Sequence, residues 1–150
     1  MKRGILYLAV LSIVLLYPTE RTDLGKLKPV EVVLIYEDRG QVVLETDTQD
    51  RGSGATPQQA LVDMKAGASG VIYMDTADFL LVGLGAERWV EDMRDLLKED
   101  VWICNTELKT DLRTAASYLR IHKPEWTLGT WNPSEKLQMM KSRYEKFWLQ

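Results

Sequence analysis

Two β-branched runs separated by a turn constrain this chain more than anything else in it. VEVVLIY spans residues 30–36 behind Pro29, QVVLETD spans 41–47, and Asp38, Arg39 and Gly40 lie between them. Val and Ile suit the pleated surface of a strand, and a short Asp/Gly connection folds one strand back on the other, so the pattern predicts a β-hairpin. A chain that opens this way has a sheet to cover, and residues 51–123 supply the cover.

RGSG at 51–54 reads as a flexible approach to a helix. It lacks the lysine and hydroxyl at the set positions that a phosphate-binding loop requires. Thr56 is placed as an N-cap, Pro57 at the first helical position and Gln59 three residues after the cap, so a helix burying Ala60, Leu61 and Met64 is expected to end near Gly67. VIYM at 71–74 and FLLV at 79–82 are short apolar runs of the buried-strand type, with helix as the alternative for the second. Ala86, Trp89, Val90, Met93, Leu96 and Leu97 fall at helical spacing. VWIC at 101–104 reads as a strand, and Leu112, Ala115, Ala116 and Leu119 mark a helix that stops before Pro124. The order predicts an α/β (α+β) domain over residues 24–123, in which one mixed sheet, opened by the hairpin, is packed by two to three helices.

Both ends differ from this centre. Residues 5–17 are apolar except for Ser12, Lys2 and Arg3 precede them, and the first carboxylate is Glu20. Such a segment, residues 1–20, is a targeting or anchoring element with its N-terminus held in the cytoplasm. It is shorter than a comfortable transmembrane helix, yet no small-x-small cleavage site comes after it, so an uncleaved signal-anchor is favoured over a removed signal peptide. A buried core helix is disfavoured because the run has no polar face. Residues 124–150 form a linker and a C-terminal amphipathic helix, with Asn132, Pro133 and Glu135 at its start and Leu137, Met140, Tyr144, Phe147 and Trp148 along one face. That helix either docks on the domain or, with Lys136, Lys141, Arg143 and Lys146 beside the aromatic face, meets an interface or a partner.

Charge and single residues narrow the function. Without Lys2 and Arg3, 17 basic residues stand against 22 acidic ones, a net charge of −5, and no basic stripe is available for nucleic acid. Cys104 is the only cysteine and His122 the only histidine. The first reads as a buried thiol and the second as a surface side chain beside Lys123, so neither a zinc site nor a nucleophile-histidine pair is expected.

The strongest chemical lead is a near-repeat, DTQD at 47–50 and DTAD at 75–78. An aspartic peptidase pairs two carboxylates so closely that they share a proton, and builds each from apolar-apolar-Asp-Thr-Gly. Gln49 and Ala77 stand where that glycine belongs. A calcium loop is the other lead, with Glu45, Asp47 and Asp50 crowded together, but the EF-hand glycine and terminal glutamate are missing. The remaining reading is that Asp and Thr cap the ends of strands, with Asp75 holding its corner.

LGKLKPVEVVLIYEDRGQVVLETD, then RGSGATPQQALVDMK, then VIYMDTADFLLVG resembles the N-terminal domain of Ger(x)C-type spore germination proteins over Leu24 to Cys104. There a hairpin near the membrane leads to a glycine-plus-threonine start of a helix, here QQAL, and then to an apolar strand. This chain departs from the family in lacking its lipobox cysteine and its further C-terminal domains. The resemblance implies a non-enzymatic extracytoplasmic domain held at the cell membrane beside a membrane or envelope protein partner, with no catalytic, cofactor or metal residue to carry over. The alternatives from the residues themselves are an aspartate-dependent hydrolase using Asp75 or Asp47 and a cation-binding module.

Overall fold

The computed structural model describes residues 26–106 and 111–132. The N-terminal apolar segment and residues 133–150, over which the C-terminal amphipathic helix is expected, fall outside the described residues. Strands β1 (Leu27–Pro29), β2 (Val32–Asp38), β3 (Gln41–Thr46) and β4 (Arg51–Gly54) lead to helix α1 (Pro57–Gly67). Strands β5 (Val71–Tyr73) and β6 (Phe79–Gly83), helix α2 (Val90–Met93), strand β7 (Trp102–Thr106), helix α3 (Leu112–Ile121) and strand β8 (Trp126–Thr127) come next. Six strands form one mixed sheet in the order β4-β3-β2-β6-β7-β8, while β1 and β5 make a separate parallel pair. Within the large sheet β2, β6 and β7 run parallel, and β3, β4 and β8 join antiparallel. The chain is therefore an α+β domain with a mixed multi-stranded sheet and three α-helices among the described residues, as the element order predicts.

The layering follows from strand alternation. Val33 and Ile35, Leu80 and Val82, and Ile103 point to one face, where they meet Ala60, Leu61 and Met64 of α1 and Val90 and Met93 of α2. Val32 and Leu34, Phe79 and Leu81, and Cys104 point to the other, where they meet Leu112, Ala115, Ala116 and Leu119 of α3. A parallel strand covered on both faces must be apolar at every position, which is why FLLV reads as an unbroken run. Each such side chain, fully buried, contributes about 1.5–3 kcal/mol. The helix alternative for 79–82 is thereby settled in favour of strand.

The hairpin forms as expected, closing through Arg39 and Gly40 at φ 51° and 81°. Two positive φ values make the turn whose twist matches its strands, and Gly40 suits it better than Arg39 does. Thr56 caps α1 by accepting from the Gln59 N–H at 3.3 Å, and the Gln59 amide oxygen reaches back to the Ala55 N–H at 3.1 Å.

Three expectations are corrected. RGSG is a strand, β4, rather than a flexible approach. Its glycines are there for proximity: a Cβ on Gly52 would lie 2.2 Å from the Ala60 carbonyl oxygen, because α1 packs directly on the strand. The outward Ser53 N–H is closed by the Asp63 carboxylate at 2.9 Å, which blunts this sheet edge. VIYM is not a strand of the main sheet; β5 pairs only with β1, a strand the pattern did not signal. The helix expected from Ala86 to Leu97 is a 3-10 turn over Glu87–Trp89, a single α-turn and further turns. Ala86, Val90, Met93 and Leu97 are buried and Trp89 and Leu96 half-buried against the same core, but Asp92 and Asp95 are poor helix formers and interrupt the run.

Candidate functional site

The two near-repeats meet at one end of the sheet, and topology explains it. β3 runs antiparallel to β2, so DTQD lies just past its last residue; β6 runs parallel to β2, so DTAD precedes its first. Both motifs therefore flank the start of β2. The Asp47 carboxylate accepts from the backbone N–H groups of Glu31 and Val32 at 3.1 and 3.2 Å, and the Asp78 backbone N–H donates to the Glu31 carbonyl at 2.9 Å. The Glu31 side chain turns outward and is gripped by the guanidinium of Arg120 on α3. The Asp78 and Asp47 charges also favour that cation.

Asp50 is the buried member, 9% exposed. Lys28 Nζ contacts both of its carboxylate oxygens at 2.9 and 3.2 Å, and the Thr48 hydroxyl donates to one at 2.7 Å. Burial alone would raise this carboxyl; the bonds from Lys28 and Thr48 outweigh it and hold the group below the ordinary carboxylate range.

Asp75 is exposed in a 3-10 turn over Met74–Thr76, and the corner it was expected to hold is held by its neighbour. The Thr76 hydroxyl accepts from the Val30 N–H at 3.0 Å and faces the Val30 and Tyr73 carbonyls at 2.9 Å each. The twin motifs also differ in backbone. Gln49 adopts φ 67°, a left-handed conformation that favours glycine, whereas Ala77 sits at an ordinary φ of −63°. They are two different loops with similar spelling.

Beside DTQD lies a cleft of about 340 Å³ between the β3–β4 corner and the start of α3, lined by Glu45, Asp47, Asp50, Arg51, Asp111 and Arg113 among others. Most of these side chains already serve the fold. Arg51 Nε lies 3.3 Å from Glu45, Arg113 Nε donates to the Asp47 carbonyl at 3.3 Å, and Asp111 caps α3 by accepting from the Thr114 N–H at 3.1 Å. The Thr114 bonds lower the Asp111 carboxyl. Glu45 also accepts from the Tyr36 hydroxyl at 2.6 Å, and burial together with that bond pushes Tyr36 up to about 12. Among the described residues no three His, Cys, Asp or Glu side chains are grouped so as to hold a metal ion.

The two single residues fall where the sequence puts them. Cys104 is buried under α3, and burial pushes its thiol up to about 12. His122 is exposed, its ring 4.5 Å from that of Tyr118. Lys28, Arg113 and Arg120, which complete the aspartate corners, carry no local sequence signal, since each acts across a tertiary contact. No protein-family model, curated protein or solved structure matches the chain.

Proposed function

We propose that this chain is a non-enzymatic, membrane-anchored extracytoplasmic domain that binds a membrane or envelope protein, in the manner of the germinant-receptor subunits that the sequence resembles. The apolar segment at residues 5–17 would hold it to the membrane. What supports the reading most is the employment of the twin motifs. Asp47 and Asp50 are engaged with backbone N–H groups, Lys28 and Thr48, so that the motif most suggestive of chemistry serves the corner of the sheet.

The cleft beside DTQD is the surface we assign to the partner. Its rim alternates cation and carboxylate over a short distance, with Arg51, Glu45, Arg113 and Asp111, which suits a polypeptide segment carrying both signs of charge better than a singly charged small molecule. Arg113→Glu tests the assignment: Arg113 is exposed and an acidic residue in the first turn of α3 is favoured by the helix dipole, while a urea melt of the variant reads separately what the loss of its bond to the Asp47 carbonyl costs the fold. Membranes from cells expressing the full chain, cross-linked before extraction, are expected to yield a discrete higher-mass species that the variant loses. A chain that stays in the soluble fraction, or a cross-link indifferent to Arg113, contradicts the reading.

A further inference from the structure

The parallel pair β1–β5 carries an apolar face with nothing on it among the described residues. Registered partners on parallel strands share a face, so Leu27 lies beside Val71 and Pro29 beside Tyr73. Lys28 and Ile72, the intervening pair, turn the other way: Ile72 is buried in the core and Lys28 reaches Asp50. The outer face is thus Leu27, Pro29, Val71 and Tyr73, with Val71 52% and Tyr73 45% exposed. The other large exposed apolar side chains, Val62, Leu84 and Ile121, belong to three different parts of the fold and make no such registered face.

This face sits where the chain arrives from its N-terminal segment. The Lys26 carbonyl oxygen would lie only 2.5 Å from a Cβ on Gly70, so the backbone at Lys26 presses against the residue that precedes Val71. Between Tyr17, the end of the apolar run, and Lys26 there are eight residues. Eight residues span at most about 29 Å even when fully extended. If residues 5–17 insert in a bilayer, the β1–β5 pair is the part of the domain tied nearest to it. Val, Leu and Pro side chains beside a tyrosine are what the headgroup boundary accepts, with the aromatic body in the acyl region and the hydroxyl toward water.

We propose that the outer face of the β1–β5 pair, Leu27, Pro29, Val71 and Tyr73, rests on the lipid surface and fixes the orientation of the domain against its own membrane. The proposal rests on the anchoring read from residues 5–17, and it assigns the occupant of the face as phospholipid. Its consequence is that the domain lies with one defined end to the membrane, so that the DTQD cleft is presented at a set height.

The test uses the full chain reconstituted in phosphatidylcholine vesicles, with an environment-sensitive fluorophore attached at Val71→Cys, at Tyr73→Cys or, for comparison, at Val62→Cys on α1. Cys104, buried under α3, is replaced by alanine in all three so that each carries a single thiol. Spin-labelled lipid is expected to quench positions 71 and 73 several-fold more than position 62. Equal quenching at all three positions in a chain that floats with the vesicles overturns this inference and leaves the anchor intact. Shielding of 71 from a water-soluble quencher without quenching from lipid also overturns it, and points to a second copy or another protein on the face. A chain that does not float removes the anchor and the inference together.

Discussion

The Thr76 hydroxyl and the Val30 backbone hold each other in both directions, the N–H donating to the hydroxyl at 3.0 Å and the carbonyl facing it at 2.9 Å. Forty-six residues separate the two, so this one side chain ties the end of β5 to the approach of β2. Thr76→Val keeps the shape but leaves the Val30 amide only its long bond to the Tyr73 carbonyl at 3.4 Å, and is expected to lower unfolding stability by about 1 kcal/mol. Asp75→Asn is expected to fall within about 0.5 kcal/mol of the parent, as exposed substitutions do. Urea denaturation of the two variants checks the contrast, and the reverse ordering would return the corner to Asp75.

Asp47 should behave unlike Asp75 although the two head near-identical motifs. Its carboxylate accepts two backbone N–H bonds at the start of β2. Asp47→Ala removes both, with an expected loss of about 2 kcal/mol, since bonds to a charged acceptor contribute about 1.5–3 kcal/mol. Thermal or urea melts read this directly, and an unchanged midpoint would show that the cap is dispensable.

How far the sequence carries the fold can be judged from these same residues. Continuous apolar and β-branched runs mark β2, β3, β6 and β7, because strands covered on both faces need apolar side chains at successive positions whatever surrounds them. The capped start of α1 is equally local. The misread elements depend on partners far along the chain. RGSG looks like a flexible loop until α1 lies on it, and VIYM has the composition of a core strand but finds only Leu27–Pro29 to pair with. At the site, an Asp/Thr cap was legible as a type of role, yet the spelling could not say that Asp47 caps and Thr76, not Asp75, does so in the twin. Arg120 with Glu31, and Lys28 with Asp50, join residues 89 and 22 positions apart, and no local pattern encodes such pairs.

Gly52 tests the packing argument. A methyl group there would meet the Ala60 carbonyl oxygen at 2.2 Å and the Met64 backbone nitrogen at 2.3 Å, neither of which can swing aside. Gly52→Ala is expected to destabilise by about 3 kcal/mol, at the upper end of overpacking costs. Gly67→Ala, where an added Cβ meets nothing within 4 Å, is the control expected to be tolerated. Similar melts for the two variants would mean that α1 can retreat from β4.

Acid should weaken the fold through identifiable groups. The Asp50 carboxyl is held low by Lys28 and Thr48 against its burial, and the Glu37 carboxyl by Trp89 first and by Arg88 as well. A carboxylate whose folded pKa is depressed adds stability above its unfolded value, about 4, and that stability is lost as pH falls through the folded value. The melting temperature is therefore expected to be flat from about pH 7 to 5 with respect to these groups, and to fall below about pH 4. Lys28→Met leaves Asp50 buried without its cation, which should cost about 2–3 kcal/mol at neutral pH and flatten the acid limb, because protonation then relieves the site. An acid limb as steep as the parent's would remove Asp50 from the explanation.

The central claim, a domain held outside the membrane by its N-terminal segment, is tested most directly by protease accessibility. Intact cells or sealed right-side-out vesicles carrying the full chain are treated with a protease and probed with an antibody against the domain. The account predicts that the domain sediments with membranes after a high-salt wash and is digested without permeabilisation. A domain that is protected until the membrane is opened, or that is recovered in the soluble fraction, contradicts it.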